Sequence, residues 1–262
     1  MKKTQYHTIK SSSLLLLLKN VFLGGLLEEC LMEVKNGVAK IEAIDITSSV
    51  IVIGSAKIIK DKDFNFSFGL GNIELLIKFL SSIEDNKIML SVKENIMTIK
   101  KKDNLRKLNY LLTNQELIST KLEENEDEDK TPYIKKIIKA LHNNIPLSKE
   151  FIKDYMSFVG MLKNKNTSLN FDGEETVSFT CGINEDNTFE LKLKDKVVKE
   201  KKNREAFTIK INGEYLSKVF NAIDFDDEEP AVLRFAKNKP IMIENKSMYW
   251  TLIHLSDAEN EE

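Results

Sequence analysis

The side chains most often used for chemistry are few in this chain, and they do not gather. Three histidines, His7, His142 and His254, stand far apart. None has metal-ligand spacing, and none has a nucleophile motif beside it. Cys30 and Cys181 are the two cysteines, and neither lies in a Cys-x-x-Cys pair. They are expected to be buried thiols in a reducing compartment. Gly69-Leu70-Gly71 offers a weak hint of a phosphate cradle, but the third glycine and the Lys-Ser/Thr pair are missing. It therefore reads as a turn into a helix. Asp226, Asp227, Glu228 and Glu229 have the oxygen donors for a divalent cation without EF-hand spacing, and read as a solvated turn. The expectation is no catalytic residue, no metal and no cofactor, hence not an enzyme.

Lysines are the more informative residues. Four predicted helices carry them on their polar faces: Lys19 in the first, Lys78 in the second, Lys149, Lys153 and Lys163 in the third, and Lys218 in the fourth. If those helices share one side of the sheets, their ammonium groups form a basic surface. Such a surface neutralises phosphates and releases counterions, which gives affinity without choice of sequence. Any single lysine reads better as an ordinary solvated residue, and only the repeated placement weighs toward the first reading. The net charge of −2 over 262 residues means that a nucleic-acid role requires segregated charge.

The elements that must position these lysines come from an internal repeat. Phe64 to Lys100 reads as strand, helix, strand, strand, and Phe207 to Glu244 repeats it. Placing Lys78 on Lys218 brings Leu76 onto Leu216, Leu80 onto Phe220 and Ile83 onto Ile223, one helical face in each copy. The two remaining helices are expected at Leu14–Glu28, with Ser11, Ser12 and Ser13 as cap candidates, and at Lys149–Lys163, with Ser148 as its cap. Asn36-Gly37 predicts a hairpin. The apolar run Leu14 to Leu18 imitates a signal peptide, but Lys19 interrupts it and no cleavage site fits, so it reads as a helix. Each half thus contains two successive βαβββ units. The fold class is α+β, two similar domains with helices on one face of antiparallel sheets. The domains are placed at 1–116 and 147–262. The acidic run Glu123 to Asp129 and the short helical segment Thr131 to Leu141 lie in a connector, 117–146.

Duplicated units, sparse lysine-bearing helices and a two-domain chain resemble the DNA sliding clamps. ETVSFTCGINEDNTFELKLK, EAFTIKINGEYLSKVFNAI and EEPAVLRF…MYWTLIHLSDAENEE are similar to the C-terminal domain of proliferating-cell nuclear antigen. LLEECLMEVKNGVAKIEAIDITSSVIVI is similar to part of its first domain. The first half also looks like the shorter processivity clamps of T4-like phages. The resemblance implies a homotrimeric ring around duplex DNA, with helices lining the hole, loaded by an ATP-dependent clamp loader. It implies partners, DNA polymerase among them, that insert a short hydrophobic-aromatic peptide beside the connector. On that basis Ile44, Thr47, Ser48, Tyr133, Ile134 and Pro230 are expected at the peptide pocket, although Pro230 also reads as a strand-start proline. Leu108 and Tyr110 on one edge strand, and Phe189 and Leu191 on another, are expected at the subunit interface. The compartment implied is intracellular, cytoplasm or nucleus. Two departures stand out: the connector has no clear counterpart, and the first helix has one lysine where the family usually has several. The rival reading is a clamp-like scaffold that binds peptides without encircling DNA.

Overall fold

The computed structural model describes residues 5–59, 64–83, 86–103, 105–118, 131–162, 165–182, 187–199, 205–225 and 230–253. The chain divides into two compact units, Met1–Ile46 with Val52–Lys121, and Thr47–Ile51 with Leu122–Glu262.

In the first unit, β1 (His7–Lys10), α1 (Ser11–Phe22), β2 (Cys30–Lys35), β3 (Val38–Ile44) and β4 (Val50–Lys57) form one βαβββ repeat; the first two residues of β4 group with the second unit. The other repeat is β5 (Phe66–Leu70), α2 (Ile73–Ser81), β6 (Lys87–Lys93), β7 (Ile96–Lys100) and β8 (Lys107–Leu111). The repeats exchange their first strands. One sheet runs β1-β6-β7-β8, and the other runs β4-β3-β2-β5. His7 lies opposite Leu90, and Cys30 opposite Leu70. Asn36 and Gly37, both left-handed, close the β2–β3 hairpin as expected.

Helix α1 buries Leu14, Leu17, Leu18 and Val21, the i, i+3, i+4, i+7 stripe of a core-facing helix. It ends earlier than the apolar pattern suggests. Leu23, Gly24 and Gly25 have φ of 46°, 61° and 92°, and the Leu23 N–H bonds back to Lys19 C=O, so the chain leaves the helix six residues short of Glu28. Ser11, Ser12 and Ser13 lie inside the first turn, and Lys10 is the N-cap, without a side-chain bond. Helix α2 buries Ile73, Leu76 and Leu80 and packs against α1.

In the second unit, α3 (Thr131–Ala140) precedes β9 (Asn143–Leu147), α4 (Lys149–Val159), β10 (Thr167–Phe171), β11 (Val177–Cys181) and β12 (Phe189–Lys192). The short β13 (Val198–Lys199) is followed by β14 (Phe207–Ile211), α5 (Gly213–Ala222), β15 (Ala231–Phe235), β16 (Ile241–Asn245) and β17 (Met248–Leu252). Strand exchange recurs: β12-β11-β10-β14 form one sheet, and β13-β9-β15-β16-β17 run side by side in another. Residues 143–146, assigned from sequence to the connector, lie with Leu147 in β9, the first strand of this unit. Pro146 concealed the strand. It is tolerated because β13 pairs only with Asn143 and Asn144, which leaves Pro146 bonded toward β15 alone.

The core of this unit is aromatic. Tyr155 meets Phe220 at 5.0 Å between ring centroids and Phe179 at 6.1 Å, both edge-on. Its hydroxyl lies 2.9 Å from Thr167 Oγ1, and burial pushes its pKa up. Asn143, 1% exposed on the core side of β9, has no partner for its side-chain oxygen or nitrogen among the described residues. A buried unpaired amide costs about 1–3 kcal/mol. Asn143→Leu should therefore raise stability by about 1 kcal/mol or more in urea denaturation. A loss of stability would mean that the amide is bonded.

Candidate nucleic-acid interface

Helices α2 and α5 begin alike. Asn72 Oδ1 accepts from Leu75 N–H at 3.0 Å, and Asn212 Oδ1 accepts from Glu214 and Tyr215 N–H at 3.0 and 3.2 Å. These caps fix where each helix starts and therefore which face its later residues occupy. Lys78 is exposed and lies 2.7 Å from Glu74, four residues earlier. Lys218 lies 3.9 Å from Glu214, also four residues earlier, with 28% of its side chain exposed. The repeat thus preserves an ion pair as well as a lysine. The Glu-x-x-x-Lys spacing was the signal for these carboxylates, and attention to lysines alone passes over it.

Helix α4 is capped by Ser148 Oγ, which accepts from Phe151 N–H at 3.1 Å. Lys149 and Lys153 are exposed along it, one turn apart. Its Glu150 is held by Lys194 at 3.0 Å, and that hydrogen bond raises the pKa of Lys194. Lys19 is exposed in the last turn of α1, where a cation suits the helix dipole. Among the described residues Lys19, Lys149 and Lys153 have no carboxylate within salt-bridge distance. Lys163 lies outside the described residues. Glu74, Glu150, Asp154 and Glu214 nearly balance the five described lysines, so the helices are only weakly basic.

Among the described residues each unit has an edge strand with a neighbour on one side only, β8 in the first and β12 in the second. Leu108, Phe189 and Leu191 are half-buried there. Phe189 stacks on Phe158 of α4 at 4.8 Å, with the rings 17° apart. Tyr110, expected at the subunit interface, packs within its own unit. It is 3% exposed, and its hydroxyl accepts from Asn72 N–H at 2.8 Å, so it anchors the start of α2. The cause is the two-residue alternation of β8, which turns Tyr110 inward and Leu111 outward. Burial pushes the Tyr110 phenol up to about 12. Leu111 and Met161, 68% and 69% exposed, are apolar surface residues that the sequence reading did not single out.

The expected pocket residues are distributed differently. Ile44 is buried at the end of β3. Thr47 is exposed, and Ser48 has a left-handed φ of 60°. Their segment groups with the second unit, where Ile253 N–H donates to Ser49 C=O at 2.9 Å. Ile134 is 7% exposed within α3. Tyr133 lies in α3, and its side chain is outside the described residues. Pro230 is exposed immediately before β15. Ile46, fully exposed beside Thr47, is an apolar residue missed in the sequence.

Gly69 and Gly71 make a close approach rather than a phosphate cradle. A Cβ on Gly69 would meet Thr113 C=O at 2.7 Å, and one on Gly71 would strike the Thr113 hydroxyl. Asp226 to Glu229 and His254 lie outside the described residues. Among the described residues, no group of His, Cys, Asp or Glu could hold a metal ion, and no helix is long and apolar enough to cross a membrane.

No protein-family model matches the sequence, and no curated protein matches it. Solved structures do. Proliferating-cell nuclear antigen from Thermococcus kodakaraensis superposes with a TM-score of 0.70 at 11% identity, covering 95% of this chain and 99% of that one. The DNA polymerase sliding clamp of Bacillus subtilis gives 0.73 at 12% identity, covering 98% of this chain and 65% of that one. The Helicobacter pylori β clamp, solved bound to a DNA ligase peptide, gives 0.69 at 10% identity, covering 96% and 67%. The fold is that of the sliding clamps. In length this chain matches the archaeal protein and spans about two thirds of the bacterial clamps.

Proposed function

We propose that this protein is a DNA sliding clamp, a processivity factor that closes into a ring around duplex DNA and tethers a polymerase. The observation that carries the reading is the fourfold βαβββ repeat with exchanged strands, which matches the clamp fold over nearly the whole chain. Under this reading β8 of one subunit pairs with β12 of the next. Closure then removes both free edges, and the ring is read as a homotrimer, as the family resemblance implies. A partner inserts a short hydrophobic-aromatic peptide; that the Helicobacter clamp was solved bound to a DNA ligase peptide supports peptide binding. A loader that hydrolyses ATP opens the ring, and the clamp itself carries out no reaction.

The near-balance of charge on the helices favours encirclement over attraction as the means of retention. It also supports the second reading, a peptide-binding scaffold that does not hold DNA. Primer extension on circular templates, with light scattering for mass, distinguishes the two. A trimer that lengthens products supports the clamp. A strict monomer at micromolar concentration, or a trimer without effect on extension, overturns it. Glu74→Gln with Glu214→Gln should release Lys78 and Lys218 and strengthen retention on DNA. The salt dependence should steepen by up to about two phosphate contacts per subunit. Lys149→Glu with Lys153→Glu should act in the opposite direction. Unchanged retention in both variants would take the helices off the DNA.

A further inference from the structure

The second unit contains a helix that the βαβββ plan does not require. Helix α3 precedes the first repeat of this unit, and its apolar residues Ile134, Ile137 and Ile138, with Leu141 just past its end, follow helical spacing. Ile137, Ile138 and Leu141 pack with Ala236, Met242 and Tyr249 in a cluster of their own.

The strands beneath show what α3 does. Leu233, Ile243 and Trp250 lie in register and face the core. Arg234, Met242 and Thr251 lie in register on the opposite face. A sheet with one wet face should alternate, yet Ile241, Met242 and Ile243 are all buried, Met242 completely. Without α3 this face would present an apolar centre bordered by the Arg234–Glu244 ion pair, whose contact is 2.9 Å. An apolar centre with a polar border is the anatomy of an interface.

We propose that α3 is a displaceable cover over a docking surface, and that the surface receives a partner's amphipathic peptide with aliphatic anchors at helical spacing. The proposal rests on the peptide-binding part of the clamp reading, and it adds the occupant and its competitor. Three features make α3 exchangeable. Its 10 residues fall below the roughly 12–15 that sustain an isolated helix, so the surface holds it in shape. Ile137 and Ile138 are only half-buried. Lys135, Lys136 and Lys139 are exposed, and among the described residues none makes an ion pair, so the contacts described for the helix are apolar ones. A segment held mainly by apolar contact gives way to one that fits the same surface better.

The test uses the full chain and α3 itself as probe. A fluorescent peptide of residues 131–142 is titrated into wild type and into the Ile137→Ser/Ile138→Ser variant. Binding to the variant at least about tenfold tighter supports the proposal. Equal or absent binding to a folded variant overturns it. Amide exchange on the wild type covers the case of a variant that fails to fold. Protection of α3 at least about a hundredfold below that of β15–β17 supports exchange, and equal protection makes α3 a fixed part of the core. Light scattering on the same samples reports ring formation separately, so a failed ring and a fixed helix are distinguishable.

Discussion

Leu111→Glu should keep the protein from closing into the proposed ring, leaving a monomer with the fold of the chain intact. Leu111 sits on edge strand β8 beside Ile96, its register partner, and is 68% exposed. In the isolated subunit the exchange touches little, and the change in stability should stay within about 0.5 kcal/mol. In the proposed ring closed through β8, the neighbouring subunit is expected to cover this residue. The loss of a buried leucine, about 1.5–3 kcal/mol, adds to the cost of a hidden carboxylate. Together these weaken each contact by about a thousandfold or more. Light scattering at micromolar concentration reads the mass, and primer extension reads the loss of processivity. A variant that remains a trimer would remove β8 from the interface.

Trp250→Ala should be the most damaging single truncation for stability. Trp250 is fully buried in β17, in register with Ile243 on the core face. Deleting a side chain of this size from a packed core costs about 3–5 kcal/mol, much of the roughly 5–15 kcal/mol that holds a typical domain together. Urea titration followed by circular dichroism measures it. A cost below about 1 kcal/mol would mean that the surroundings collapse onto the cavity.

Some of this architecture is visible in residue spacing. Leu76, Leu80 and Ile83 and their counterparts Leu216, Phe220 and Ile223 are all buried, because a 3.6-residue period leaves one face apolar. Spacing says nothing of pairing. Alternation marks Thr8 and Ile9 as strand residues, and only the tertiary structure sends them to Met89 and Ile88. The end of α1 depends on Leu23 accepting a left-handed conformation, a cost that local preference argues against. β9 was hidden by its proline, and Tyr110 by the one-residue difference between the inner and outer sides of a strand. The lysines were found, but their neutralising glutamates were not. Two lysine positions therefore looked more basic in the sequence than they are in the folded chain. Helix α3 was legible as a short helix, whereas what it covers depends on Met242 and Tyr249, more than a hundred residues away.

The exchange of first strands between repeats has a consequence for how such a chain is made and how it arose. During synthesis, β1 emerges before its partner β6, which follows some eighty residues later, so His7 must wait for Leu90. Neither half of a unit can finish its sheet early, and the entropy of closing that long loop has to be spent before the pairing is gained. A solitary repeat with this connectivity would meet the same obstacle permanently. Its first strand could be satisfied only by a second molecule, which makes a strand-swapped dimer the simplest ancestor of each unit, with gene duplication joining the two halves into one chain.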